Sequence, residues 1–131
     1  MYLIDTNVWS ERLLDQQKSE EVGRFLSCTP SSRLFLTDFS FHSLCVILAR
    51  EDQAHVINSL VRDLFLEGDV RLVRLRPEAT ADTTDAMKDF RLDFDDAYQY
   101  VAAVRFELML VSYDTDFDRC PLGRHTPRQL L

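Results

Sequence analysis

The chain has 131 residues, of which 46% are hydrophobic, and a formal net charge of −7. A chain of this length can bury its own hydrophobic core, so we expect residues 1–131 to form a single domain. The negative charge argues against a general nucleic-acid-binding surface, because such proteins normally present a basic face to the phosphates. An acidic chain needs a local feature for that task, such as a carboxylate cluster neutralised by a divalent metal.

The cysteines and the hydropathy pattern indicate the compartment. Cys28, Cys45 and Cys120 are odd in number and isolated, so they predict neither a disulfide framework nor a zinc site. The first residues are strand-like without a basic leader, and the apolar stretch 39–49 is too short to span a bilayer and contains His42. We therefore expect a soluble, cytoplasmic protein that does not associate with membranes.

Hydrophobic periodicity predicts alternating strands and helices along the chain. In order, the pattern predicts a strand at 2–4, helices around 8–14 and at 19–26, a strand at 33–37, helices at 39–51 and 54–67, a strand at 70–75, helices at 77–90 and 97–108, and a strand at 108–112. Such alternation is typical of an α/β fold whose mainly parallel sheet is covered by helices on both faces.

Acidic residues stand where these elements meet. Asp5, Asp38 and Asp114 follow predicted strands, whereas Asp95 and Asp96 begin the helix that leads into the last strand. In right-handed βαβ units, the carboxyl ends of the strands and the amino ends of the helices lie at the same edge of the sheet. Four segments of the chain therefore direct carboxylates to one edge.

An acidic edge of this kind predicts a bound divalent cation. Like charges repel and raise one another's pKa values, and a proton or a cation relieves that repulsion. Hard oxygen ligands with few histidines favour Mg²⁺ or Mn²⁺ over zinc. Such a site activates water and stabilises charge on a phosphodiester, which is the chemistry of metal-dependent nucleases.

Three motifs carry a resemblance to a known family. The segments "LIDTN" near the start, "DFDDAYQYVAA" in the last third and "LVSYDTDF" shortly after it together resemble a PIN domain, in particular the VapC-type toxin ribonucleases of toxin–antitoxin pairs. The resemblance implies a PIN-like α/β/α sandwich that cleaves RNA with acidic residues and Mg²⁺ or Mn²⁺. It also implies a cognate antitoxin as protein partner, and we further expect a homodimer.

The resemblance assigns roles to individual residues. Catalysis and metal binding are expected of three acids, Asp5, Asp96 and Asp114. Polar positions beside the acids, expected to orient a ligand, water or phosphate, are Asn7 and Ser112. Two further carboxylates, Asp93 and Asp116, are expected to support these ligands or to bind metal themselves.

One position departs from the family pattern. The family usually has a Glu early in the helix after the second strand, but here the segment reads "TDFSFHSLCVIL", with His42 or Ser43 at that place. We predict that Asp38, slightly upstream, supplies the fourth catalytic carboxylate, although an Asp there also suits helix capping. His42 on a mainly apolar helix is either a core residue or a positioning group.

Other interpretations stay open at this point. The missing Glu allows a non-catalytic PIN-like module that binds RNA or protein through a degenerate acidic site. A phosphoacceptor receiver domain would need an acidic pair after the first strand and a Lys after the last, and neither is present. Asp5 alone also fits a simpler role, complementing the positive end of a helix that Thr6 or Asn7 caps.

Two surface features have competing interpretations. Trp9 and Leu13 share a helix face and either line a groove for an antitoxin segment or pack in the core. The segment 119–131 contains arginines but no acid, and it either contacts phosphates or is an ordinary solvated terminus. The arginines between residues 71 and 76 indicate a solvated face.

Overall fold

Four parallel strands form the central sheet of the computed structural model, which describes residues 1–131. The strands are β1 (Tyr2–Ile4), β2 (Leu34–Thr37), β3 (Arg71–Val73) and β4 (Met109–Val111). Their order across the sheet is β3-β2-β1-β4 and every pairing is parallel. The prediction of an α/β fold with a mainly parallel sheet is therefore confirmed.

Six α-helices cover the sheet. They are α1 (Thr6–Leu13), α2 (Ser19–Cys28), α3 (Asp38–Arg50), α4 (His55–Val61), α5 (Thr80–Phe90) and α6 (Phe94–Arg105). A π-helical turn, Arg62–Leu66, continues α4, and short 3₁₀ turns join several elements. None of these helices has both the length and the apolar character needed to cross a membrane.

The core has two halves because successive strand residues point to opposite faces of the sheet. Leu3 and Leu110 belong to one buried cluster, together with residues of α5 and α6. Ile4 and Val111, their next neighbours in sequence, belong to a second cluster with residues of α1, α2 and α3. The result is the three-layer α/β/α arrangement that the sequence predicts.

The end of α6 differs from its predicted position. The helix stops at Arg105, and Glu107 takes a left-handed conformation with φ 55° before buried Leu108 leads into β4. Val104, in the last turn of the helix, is 48% exposed. Three residues of turn are needed because a helix that crosses back over a sheet must reverse direction before the next strand.

Gly68 ends the helical segment after α4, as the sequence predicts. A Cβ atom at this position would lie 2.6 Å from the carbonyl oxygen of Asp63 and 2.8 Å from that of Leu64. The close approach leaves room only for glycine, so the chain can turn sharply toward β3.

Trp9 lies in the core and is only 2% exposed. It packs in the same cluster as Val8 and Phe25, with half-buried Leu13 against the edge of that cluster. The interpretation of Trp9 as part of an open groove is therefore wrong, and the core-packing alternative is confirmed.

The C-terminal segment packs beside β4. The amide of His125 donates to Leu110 O at 2.9 Å, and Ser112 N donates to His125 O at 3.0 Å, which forms one further parallel bridge. Arginines of this segment make contacts within the chain: Arg124 pairs with Asp118 at 3.1 Å, and Arg128 pairs with Glu21 at 3.2 Å.

Candidate functional site

The predicted acidic edge exists at the carboxyl ends of the strands. Asp5 directly follows β1, Asp38 directly follows β2, and Asp114 stands three residues beyond β4. Helix α6 begins at the same edge, because it runs antiparallel to β4, and it contributes Asp96 from its first turn. Parallel strand order brings these distant parts of the sequence together.

Three carboxylates form the tightest cluster of the site. Oxygen atoms of Asp96, Asp114 and Asp116, one from each side chain, lie within 4.8 Å of one another, and all three residues are half-buried. Asp114 Oδ1 accepts a hydrogen bond from Asp116 N at 2.8 Å, so Asp114 caps the short 3₁₀ turn Thr115–Arg119. This tight turn brings Asp116 close to Asp114.

The ionisation of Asp96 is strongly perturbed by its surroundings in the cluster. Burial, followed by the charges of Asp114, Asp93, Asp5 and Asp116, raises the pKa of Asp96 to about 7. Near neutral pH this carboxyl therefore either keeps a proton or requires a neighbouring positive charge.

Asp5 is a buried carboxylate with a complete set of hydrogen-bond donors. Its Oδ1 accepts from Thr6 N at 2.8 Å and from Gln99 Nε2 at 3.0 Å. Its Oδ2 accepts from Ser112 Oγ at 2.7 Å and from Asn7 Nδ2 at 3.1 Å. Burial raises the pKa of Asp5, and the bonds from Ser112, Gln99 and Thr6 lower it in part.

Ser112 and Asn7 lie beside the acids, as the resemblance implies. Ser112 Oγ donates to Asp5 and accepts from Asp114 N at 3.0 Å, so a single hydroxyl joins the two acid-bearing segments. Asn7 Nδ2 also donates to Ser112 Oγ at 3.2 Å, and Asn7 Oδ1 accepts from Tyr113 N at 3.1 Å. These bonds hold α1 against the loop that follows β4.

Asp93 and Asp38 contact other groups. Asp93 is the N-cap of α6, and its Oδ1 accepts from Asp96 N at 2.8 Å. Asp38 Oδ1 accepts from the Tyr98 hydroxyl at 2.7 Å and from Phe39 N at 2.8 Å, and Asp38 is not in the three-carboxylate cluster. The N-cap of α3 is Thr37, and Asp38 in the first turn accepts from Phe39 N, so the capping interpretation of Asp38 is correct only in part.

No acid occupies the place on α3 where the family usually has a Glu. His42 is exposed on α3, Ser43 is half-buried, and neither side chain hydrogen-bonds to any of the carboxylates described above. Its exposure excludes His42 as a core residue.

A buried polar network behind Asp5 was not predicted from the sequence. It contains Gln99 of α6, Thr37 at the end of β2, and Ser40 of α3, all less than 2% exposed. The available signal was a polar residue, Gln99, in the apolar face of "DDAYQYVAA", three residues beyond Asp96. A buried amide requires partners for its donors and its acceptor, so it indicates a group of polar side chains that hydrogen-bond to it.

The donor set of the cluster suits a hard divalent cation. All of its side chains offer carboxylate oxygens, and no histidine or cysteine belongs to it. Magnesium and manganese prefer such ligands, and a cation here would offset the burial and the repulsion that together raise the pKa of Asp96. The residues present therefore fit the metal that the acidic edge predicts.

Solved structures share this fold over nearly their whole length. A toxin–antitoxin complex from Klebsiella pneumoniae matches with TM-score 0.77 and 18% identity, covering 97% of this chain and 98% of that chain. FitAcB from Neisseria gonorrhoeae matches with TM-score 0.75 and 22% identity, covering 98% and 99%. VapC20 from Mycobacterium tuberculosis, a sarcin-ricin loop cleaving toxin, matches with TM-score 0.76 and 13% identity, covering 95% and 97%.

At these identities, the likeness to solved structures concerns the fold alone. Curated protein sequences give no match to the chain. The family comparison is more direct, because the model of the PIN domain matches residues 2–121 and so includes every acid of the site. The chain belongs to the PIN domain family.

Proposed function

We propose that this chain is a metal-dependent endoribonuclease and the toxin of a toxin–antitoxin pair. The observation that carries the proposal is the cluster of Asp96, Asp114 and Asp116 beside buried Asp5, in a chain of the PIN domain family. A cluster of carboxylates that repel one another favours the binding of a cation.

The metal would be Mg²⁺ or Mn²⁺, held by Asp96 and Asp114, with Asp5 and Asp116 as further carboxylate ligands. When bound, such an ion activates water and stabilises negative charge on a phosphodiester. The chain's own residues then have separate tasks. Ser112 and Asn7 orient Asp5 through hydrogen bonds of 2.7 and 3.1 Å, and Asp96, whose pKa is about 7 without a cation, would give up its proton to bind the ion.

The structural neighbours support the toxin assignment. One neighbour is a toxin–antitoxin complex, and another is a toxin that cleaves the sarcin-ricin loop of RNA. We propose an RNA substrate, a cognate antitoxin protein and a homodimer for this chain, with residues 1–131 acting as one domain in the cytoplasm. The three free cysteines are compatible with a reducing compartment.

Cleavage of RNA by the purified protein tests the proposal. We expect cleavage in Mn²⁺ and none in EDTA, and we expect Asp5→Asn to fold but to lose at least about 100-fold in rate, as loss of a key transition-state contact does. Circular dichroism confirms folding of the variant. Metal-independent cleavage, or wild-type rates for Asp5→Asn at limiting Mg²⁺, would contradict the assignment.

Asp38 is proposed as an additional carboxylate of the same centre. Its Oδ1 is occupied by the Tyr98 hydroxyl and Phe39 N, whereas its Oδ2 has no hydrogen-bond partner. We expect Asp38→Asn to fold normally and to need more Mn²⁺ for half-maximal cleavage. An identical Mn²⁺ dependence in the variant and wild type would remove Asp38 from the centre.

One observation favours a second candidate function. Since the position of the family Glu holds His42 or Ser43, a non-catalytic PIN-like module that binds RNA or protein is the alternative. The cleavage assay separates the two: RNA binding that requires no metal and leaves the RNA intact would favour the binding module.

A further inference from the structure

Gln99 is a buried primary amide on the inner face of α6. It is 1% exposed, and its neighbours on that helix include buried Ala97, Val101 and Ala102. An amide in such surroundings is costly unless its donors and its acceptor are paired. Here Nε2 donates to Asp5 Oδ1 at 3.0 Å and to Ser40 Oγ at 2.8 Å, while Oε1 accepts from Thr37 Oγ1 at 2.6 Å.

The orientation of the Gln99 amide follows from the groups that surround it. Thr37 Oγ1 accepts from Ser40 N at 3.0 Å, as expected of the N-cap of α3. The hydroxyl proton of Thr37 remains free to donate, and it goes to Gln99 Oε1 while the amide nitrogen faces Asp5. The reverse orientation would place the amide oxygen against the Asp5 carboxylate, with two acceptors and no proton between them.

The network joins the elements that carry the acids. Gln99 stands three residues beyond Asp96 on α6, which places the two side chains one turn apart on neighbouring parts of the helix surface. Through its amide, Gln99 connects that helix to Asp5 after β1 and to Thr37 at the end of β2. Any movement of α6 relative to the sheet would therefore alter both Asp96 and Asp5.

We propose that Gln99 is a positioning residue of the acidic centre. Gln99 is held by Thr37 and donates to Asp5 Oδ1, so it sets the orientation of the Asp5 carboxylate relative to Asp96. That orientation in turn sets the affinity of the centre for a divalent cation. This inference rests on the proposed metal-dependent function. Partners that orient the ligands of a metal site change metal affinity by about 10- to 100-fold when they are removed.

The principal test uses Gln99→Met, which keeps the length of the side chain and removes its hydrogen bonds. Isothermal titration with Mn²⁺ in the absence of RNA should show affinity weakened by about tenfold or more. The matched control is Thr83→Val, which removes another buried hydroxyl, 2% exposed, whose only partner is Ala79 O at 2.9 Å. The control should lose thermal stability and keep the wild-type Mn²⁺ affinity.

A second pair of variants applies if Gln99→Met does not fold. Thr37→Val removes the hydroxyl that orients the amide, a hydroxyl that makes no hydrogen bond to a carboxylate, and Thr37→Ser restores that hydroxyl. We expect Thr37→Val to weaken Mn²⁺ binding several-fold at temperatures below its unfolding transition, and Thr37→Ser to recover it. A purely structural role would lower the midpoint of thermal unfolding without changing Mn²⁺ affinity.

The outcomes separate this inference from the proposed function. Mn²⁺ affinity within about twofold of wild type for the folded Gln99→Met variant, or for Thr37→Val in its place, would overturn the positioning role. A wild-type protein that binds Mn²⁺ but cleaves no RNA would overturn the nuclease function and leave the positioning role to be decided by the titrations. A wild-type protein that binds no Mn²⁺ would overturn both.

Discussion

At the scale of single residues, the site depends on how two carboxylates are solvated. Asp5 is almost fully buried, but four donors replace the water it has lost. Asp96 is only half-buried, yet this burial, followed by the charges of four other acids, raises its pKa to about 7. Asp5 is therefore held in place by hydrogen bonds, whereas the charge of Asp96 changes with pH near neutrality.

The raised pKa of Asp96 predicts a pH-dependent stability in metal-free buffer. Below about pH 4 the Asp96 carboxyl is protonated in both the folded and the unfolded state, and its raised pKa then makes its full contribution to the stability of the folded state. Between the ordinary value of 3.8 and about 7 the unfolded chain releases the proton first, so stability falls as pH rises. Asp96→Asn should abolish this fall, which we put at about 1 to 2 kcal/mol after allowing for solvent screening.

Urea unfolding in EDTA at about pH 5 and about pH 8 measures this effect. The free energy of unfolding of Asp96→Asn, relative to wild type, should increase between the two pH values. Parallel changes in the two proteins would show that Asp96 ionises normally in the folded state.

At the scale of elements, the first turn of α6 links helix stability to the site. Asp93 caps the helix by accepting from Asp96 N, and the helix then delivers Asp96 to the cluster and Gln99 to Asp5. Fraying of this turn would move both side chains. An ordered first turn of α6 is therefore needed to keep both side chains in place.

Substitutions of Asp93 separate its capping role from a role in metal binding. Asp93→Ala should lower the free energy of unfolding by about 1 kcal/mol, whereas Asp93→Asn, also a good N-cap, should change it by much less. Thermal melts with matched Mn²⁺ titrations provide the measurement. A loss of Mn²⁺ affinity in Asp93→Asn with unchanged stability would assign Asp93 to the metal instead of the helix cap.

At the scale of the whole molecule, the fold concentrates negative charge at one edge of the sheet in a chain of net charge −7. Four parallel strands place their carboxyl ends, and the amino ends of the helices that follow them, at the same edge. Binding of a cation at that edge should therefore stabilise the entire folded state, since the unfolded chain does not assemble the site.

Thermal unfolding with Mn²⁺ tests this whole-molecule effect. At free Mn²⁺ about 100 times the dissociation constant, the folded state gains about 2.7 kcal/mol, and the melting temperature should rise by several degrees. Asp114→Asn should lose most of this gain, and NaCl of equal ionic strength should not reproduce it. Equal shifts in wild type and Asp114→Asn would place Mn²⁺ binding elsewhere on the chain.

Local sequence pattern by itself determined the order of strands and helices, the parallel sheet and the edge at which the acids collect. Periodicity of apolar residues is a local property, and the handedness of βαβ units leaves little freedom in where strand ends and helix starts meet. Asp5, Asp96 and Asp114 could be named because each stands at such a junction, and because their motifs resemble those of the PIN domain.

Only the tertiary structure decided which polar groups complete the site. Gln99 meets Asp5 across 94 residues and Thr37 across 62, and Asp38 meets the hydroxyl of Tyr98 rather than the carboxylate cluster. Burial of Trp9 was likewise settled by packing against distant elements. Such contacts depend on side-chain direction and on the spacing of layers, and neither is encoded in the periodicity of one segment.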